Sequence, residues 1–301
     1  MALKTCIIIA GTTAVGKTSV AIALAQHFKT AIVSADSRQC YRELDIGVAK
    51  PTEAQLAQVK HYFINSHSIT DDVNAGMFEH YALQAVTDIF REHDIAIMVG
   101  GTGLYIRAFC EGMDQMPEIS GRIRDEINTN YSTGGLAWLQ QEIREKDPDW
   151  YAFGEIQNPQ RIMRALEVML SSGKSIRSFQ QQANKATRDF NIIKIGLSLP
   201  RAQLYGHINN RVDEMIAAGL EKEVASLLPF RNLNALQTVG YKELFACMDG
   251  THNRALAIEH IKRNTRHYAK RQLTWFKRDE KFHWISPVDF NQLIKYLHNL
   301  V

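Results

Sequence analysis

Residues 5–18, TCIIIAGTTAVGKT, decide the fold. The apolar run Cys6–Ala10 is too short for a helix and meets a glycine turn, so it reads as a buried strand. Gly11–Thr18 fits the phosphate-loop pattern G-x-x-x-x-G-K-[ST]. From Thr18 to Phe28 the spacing turns helical, with Val20, Ala23, Leu24 and His27–Phe28 grouped by threes and fours. A glycine loop between a strand and a helix is the context the motif requires. The backbone N–H groups of Gly11, Thr12, Thr13, Ala14, Val15, Gly16, Lys17 and Thr18, with the helix N-terminus, form an anion cradle. Lys17 is placed to neutralise outer phosphate oxygens, and the Thr18 hydroxyl to hold Mg²⁺. The pattern is ordinarily an ATP or GTP site.

Further along the chain, a second strand, Ala31–Val33, ends in Ser34-Ala35-Asp36. A third, Ile95–Val99, runs into Gly100-Gly101-Thr102-Gly103, and a fourth covers Ile192–Leu199. Strands alternating with helices predict a parallel sheet covered on both faces. Ligands of such sheets gather at the strands' carboxyl ends, so the loop at 11–18, Asp36 and Gly100–Gly103 are expected to converge. Between Met116 and Phe190 the pattern is helical: Arg122–Thr129, Leu136–Lys146 and Arg161–Ser171, the last stopped by Gly173. Pro200 opens a helix running to Gly219, and a long helix covers Ala255–Arg278. The expected architecture is α/β. It has a P-loop NTPase-like core, residues 1–115 and 191–301, and a helical insertion domain, 116–190.

Bulk properties narrow the classes. A chain of 301 residues, 45% apolar and 22% charged, can bury a full core. Its net charge of +3 does not by itself imply nucleic acid. Cys6, Cys40, Cys110 and Cys247 are scattered and form no disulfide framework or zinc pattern. No apolar run approaches the roughly 18 residues of a membrane span, and Cys6–Ala10 is no signal peptide. A soluble cytoplasmic protein is expected, and nothing requires more than a monomer.

Three features carry chemistry. The strand before Gly100 ends without the carboxylate that supports Mg²⁺ in P-loop hydrolases, so nucleotide splitting is not favoured. The available acid is Asp36, where Asp36, Ser37, Arg38 and Gln39 place four polar groups at the site's mouth. A carboxylate there can accept a proton from an attacking group. The third feature is HIKRNTRHYAKRQLTWFKRDEK, residues 260–281. On a helix, Lys262, Arg263, Arg266, Lys270, Arg271, Lys277 and Arg278 share one half, while Ile258, Ile261, Tyr268, Trp275 and Phe276 share the other. Such a stripe suits a nucleic-acid phosphate backbone. Arg161 and Arg164 add basic groups on the insertion. His61, His67 and His80 lack metal-ligand spacing, and Trp138 and Trp150 read as insertion core.

These motifs together resemble the bacterial tRNA dimethylallyltransferases. The resemblance rests on GTTAVGKT, SADSRQCYRELDIGVAKP, VGGTGLYIRA, NPQRIMRALEV, RVDEMIAAGLEKEV, QTVGYKEL and AKRQLTWFKRD, which span nearly the whole chain. It implies transfer of a dimethylallyl group from dimethylallyl diphosphate to N6 of adenine 37 in tRNAs reading codons that begin with U. By resemblance, the loop at 11–18 would hold the donor's diphosphate with Lys17, Arg211 and Mg²⁺ on Thr18. Asp36 would take the amine's proton, and Thr102 would lie beside the reacting centre. The implied tRNA contacts are Asp36, Ser37, Arg38, Gln39, Thr102, Arg124, Gln160, Arg161, Ile162, Met163, Arg164, Gly240, Tyr241 and Lys242, with the insertion closing over the anticodon stem.

Thr12 and Val15 replace the family's common Pro and Ser at variable loop positions. Val48 stands where the DIGTAKP form has Thr, and His61–Asn65 replaces HHLID. The competing functions are prenylation of free AMP or ADP, a P-loop kinase, and a non-catalytic RNA-binding protein.

Overall fold

A computed structural model of the chain describes residues 3–180 and 186–300. Residues 181–185 of the expected insertion lie outside the described residues. The chain divides into two compact units, Met1–Glu111 with Thr187–Val301, and Gly112–Ala186.

The first unit is built on a parallel sheet. Its strands are β1 (Thr5–Gly11), β2 (Ile32–Ser34), β3 (His61–Tyr62), β4 (Ile95–Gly100), β5 (Asn191–Leu197) and β6 (Phe282–Ile285). They lie in the order β3-β2-β4-β1-β5-β6, every pair parallel. All residues of β1 are buried, because alternate side chains of a strand face opposite sides and both sides are covered. Cys6, Ile8 and Ala10 pack under the helices Ala75–Phe90 and Gly103–Glu111. Ile7 and Ile9 pack against the helices Lys17–His27, Arg201–Ala217 and Phe290–His298. A one-faced strand would have alternated apolar with polar residues; an unbroken apolar run is what two covered faces demand.

The α/β class and the parallel sheet read from the sequence hold. The four strands read from the sequence, β1, β2, β4 and β5, fall where their apolar runs predict, within a residue or two. The edge strands β3 and β6 are additions. β3 has only two residues, too few to show a period. β6 buries only Phe282 and Ile285 at its ends, and follows the basic tract directly.

Register positions the site. Ala10 pairs with Gly100, Gly11 with Leu197 and Ser34 with Val99. The segments 11–18, 35–39 and 101–103 therefore leave the sheet at one level. From β1 the chain crosses toward β2, whereas from β4 it returns on the other side to β5. The crevice between the carboxyl ends of β1 and β4 is thus the topological switch point, where ligands of such sheets bind.

The second unit is helical among the described residues: Gly121–Lys146, Pro148–Phe153, Pro159–Ser172 and Ile176–Phe179. Gly135 breaks the first of these with φ 61° and ψ −158°, matching the two helices read on either side of it. Leu139, Ile143, Trp150, Ile162 and Leu166 form its own core.

Candidate active site

The phosphate loop follows β1 as the sequence requires. Gly16 stands at the N-cap of the helix Lys17–His27 with φ 97°, and no side chain caps that end. Its first N–H groups are left to an outside acceptor, which is the basis of anion binding there. Ala14 also takes a left-handed backbone, φ 61°. Thr12 and Val15 are buried, so these two side chains serve the loop's packing.

Two cations meet at the loop. The Lys17 ammonium donates to the Thr12 carbonyl at 2.7 Å, and Arg211 donates to the Thr13 hydroxyl at 3.2 Å. Burial lowers the Lys17 pKa to about 8; nearby Asp36 pulls it up and Arg211 pushes it down. Burial lowers the Arg211 pKa as well, although a guanidinium stays charged throughout the working range. Lys17, Arg211 and Asp36 line one cavity of about 530 Å³. Arg38 and Lys50 also line it, with Glu214 as a second carboxylate, and four cations against two carboxylates favour an added anion, because an uncompensated buried charge is costly.

Asp36 is held by its own turn: Oδ1 accepts from the amides of Arg38, 2.9 Å, and Gln39, 3.3 Å. Oδ2 has no hydrogen-bond partner among the described residues. Arg38 reaches Asn234 at 3.2 Å. Gln39 is engaged at both ends of its amide, accepting from Ser34 and donating to the carbonyls of Val48 and Ala49. Its side chain therefore braces the 45–50 segment along the cavity. Thr102 lies behind this turn. Its hydroxyl accepts from the Ser37 amide at 3.0 Å and reaches the Ser37 hydroxyl at 3.4 Å. Neither Ser37 nor Thr102 lines the cavity, and Thr102 buttresses the Asp36 turn.

Three residues among the implied RNA contacts have buried side chains. Tyr241 is fully enclosed and donates its hydroxyl to Glu223. Ile162 and Met163 belong to the second unit's core. These side chains pack the protein. Gly240 is buried at the N-cap of the helix Tyr241–Met248, while Lys242 is exposed. In the second unit, Glu167 receives both Arg164, at 3.0 Å, and Arg124, at 3.5 Å. Exposed Arg161 pairs with Glu155 at 2.8 Å, and Gln160 is exposed.

The basic stripe is narrower than its periodicity suggested. Lys262 pairs with Asp213 at 2.8 Å and Arg266 with Asn209 at 2.7 Å, so both fasten the helix Arg254–Phe276 to the helix Arg201–Ala217. Arg263, Lys270, Arg271, Lys277 and Arg278 stay exposed. Tyr268, assigned to the apolar half, instead lines the cavity.

Other lining residues were not assigned to the site from the sequence. His61 presents a ring whose Nδ1 lies 2.7 Å from the Val59 carbonyl, and burial lowers its pKa. Val48, Met215 and Val239 supply apolar wall. Gln272 reaches the loop from the Arg254–Phe276 helix, although a glutamine in a basic helix gives no signal of burial.

Magnesium fits this donor set only together with a phosphate. The Thr18 hydroxyl lines the cavity and makes no protein hydrogen bond among the described residues. No cluster of three or more His, Cys, Asp or Glu side chains among those residues could hold a metal. Such a set suits Mg²⁺, which binds through substrate phosphates, water and few protein oxygens.

The fold and site define an α/β protein with a phosphate-loop motif at the switch point of a parallel sheet, in a cavity lined by Lys17, Arg211 and Asp36. The model of the IPP transferase family matches residues 39–279, and the chain belongs to that family. It is 45% identical to a tRNA dimethylallyltransferase of Cytophaga hutchinsonii, over 98% of this chain and 96% of that one. Against tRNA dimethylallyltransferase 1 of Bacteroides thetaiotaomicron the identity is 43%, with 98% and 96% covered. Among solved structures, the full-length tRNA isopentenylpyrophosphate transferase of Bacillus halodurans superposes with a TM-score of 0.71 at 33% identity, covering 98% of this chain and 95% of that one. A eukaryotic dimethylallyltransferase solved acting on tRNA gives 0.73 at 26% identity, with 90% and 69% covered. The phosphate loop and Asp36 precede the family model's span but fall within the full-length similarity.

Proposed function

We propose that this chain, a tRNA dimethylallyltransferase by family, moves the dimethylallyl group of dimethylallyl diphosphate to N6 of adenine 37 in tRNAs reading codons that begin with U. The carrying observation is the placement of two enclosed cations, Lys17 and Arg211, at the phosphate loop in the cavity that Asp36 also lines. The allylic C–O bond breaks as charge gathers on the departing diphosphate. Lys17, Arg211 and the loop amides stabilise that charge as it develops. N6 forms the new C–N bond, and its proton passes to Asp36, whose Oδ1 is fixed by two amides and whose Oδ2 is open. Mg²⁺ on the Thr18 hydroxyl would neutralise phosphate charge. The target base must leave its stack, at a cost of a few kcal/mol. Exposed Lys242, Lys270 and Arg271, with Arg124, Gln160, Arg161 and Arg164 of the second unit, supply RNA contacts.

The test supplies Mg²⁺, an anticodon stem-loop with adenines at 36–38, and radiolabelled dimethylallyl diphosphate or ATP. Label is expected in the RNA from the prenyl donor alone. Phosphoryl transfer from ATP, or prenylation of free AMP only, would sink the reading. In the same assay, Asp36→Ala is expected to lower turnover by about 10²–10⁴, the scale of a lost general base, while RNA still binds. Near-normal turnover removes Asp36 from proton transfer.

A further inference from the structure

Gln272 is 7% exposed within the Arg254–Phe276 helix, among apolar Ala269 and Phe276. Its Oε1 accepts from the Thr13 amide at 2.8 Å, and its Nε2 donates to the Gly101 carbonyl at 2.9 Å. A peptide N–H can only donate and a carbonyl can only accept, so these partners fix which way the amide faces. A methyl group at Gly101 would overlap Nε2, so a side chain there would displace the Gln272 amide. Thr13 is held a second time, through its hydroxyl, by Arg211. One side chain therefore joins the phosphate loop, the β4 turn and the basic helix.

A leucine or methionine of similar size would fill the same space without any polar partner. It would leave the Thr13 N–H and the Gly101 carbonyl unpaired, and unmade buried hydrogen bonds are costly. Ordinary helix docking does not need this glutamine; the placement of two loops does. We infer that Gln272 is a positioning residue for the diphosphate. It sets the Thr13 peptide so that the following loop amides face the anion, and it holds the β4 turn, with Thr102 and the Asp36 turn behind it, at a fixed distance from the loop. It acts through Thr13 and Gly101 and touches no reacting atom. The inference rests on the proposed reaction, in which diphosphate is the leaving group.

The experiment uses the full chain and the variants Gln272→Leu and Gln272→Glu. Binding of inorganic diphosphate with Mg²⁺ is measured by calorimetry from pH 5.5 to 8.5, without RNA or prenyl donor, beside RNA affinity and prenyl-transfer kinetics. Gln272→Leu is expected to weaken diphosphate binding roughly tenfold, the factor one lost buried hydrogen bond carries, and to lower kcat with RNA affinity unchanged. In Gln272→Glu an ionised carboxylate can accept from Thr13 but cannot donate to Gly101, whereas the protonated acid does both. Its diphosphate affinity relative to the parent chain should therefore rise as pH falls. A ratio flat across pH, or a leucine variant that binds diphosphate as the parent does, overturns the inference. If the leucine variant does not fold, the pH ratio of the glutamate variant decides. Diphosphate binding that responds to these variants in a chain unable to prenylate RNA would refute the proposed reaction and leave the role of Gln272 standing.

Discussion

At the scale of single residues, the site's chemistry comes from where Lys17, Arg211 and Asp36 are placed. Lys17 carries the most direct consequence. Burial has lowered its pKa to about 8 in the ligand-free protein, so its ammonium is present below that pH and loses its proton as pH rises through it. An anion requires the charged form, so the Lys17 contribution to diphosphate affinity is complete below about pH 8 and fades above it, where binding must take up a proton. Calorimetry of inorganic diphosphate from pH 6.5 to 9.5 should show this step. Lys17→Met should bind weakly and lack it, and since both chains share the ligand's own titration, the difference isolates the lysine. Equal pH profiles would remove Lys17 from direct anion contact. The loop and Asp36 were legible at this scale because motif and strand context agree. Gln272 was not, since a polar residue in a cationic helix looks solvated until the neighbouring chain is placed over it.

At the scale of elements, the Arg254–Phe276 helix illustrates what periodicity can and cannot decide. It correctly separates a docking side, with Ile261 and Phe276 buried, from a cationic side. It cannot tell which cations are consumed by a neighbouring helix, and Lys262 and Arg266 are. The remaining exposed groups define a testable surface. Reversing Lys270 and Arg271 to glutamate should weaken tRNA binding and flatten its logarithmic salt slope by roughly 0.7–0.9 per lost phosphate contact. A filter-binding series from 50 to 300 mM salt measures this, and an unchanged slope would return those residues to ordinary solvation. The same limit explains the burial of Tyr241, Ile162 and Met163: a contiguous motif carries both faces of its helix, and one of them packs into a core.

Across the whole molecule, the sequence by itself determined the parallel α/β class, the four principal strands, the helical stretch between them and the phosphate loop. Each is written in a local pattern: an apolar run for a strand covered on both faces, a three-four spacing for a helix, a glycine turn between them. Family membership also follows from sequence, through motifs spread over nearly the full length. The tertiary structure alone decided the strand order β3-β2-β4-β1-β5-β6, the added edge strands, and the joining of residues 11–18, 36–39, 207–215 and 268–272 around one cavity. Hydrogen bonds such as Thr13 to Gln272 link positions 259 apart. Strand pairing and helix docking depend on packing between distant segments, and no spacing within either segment records its partner.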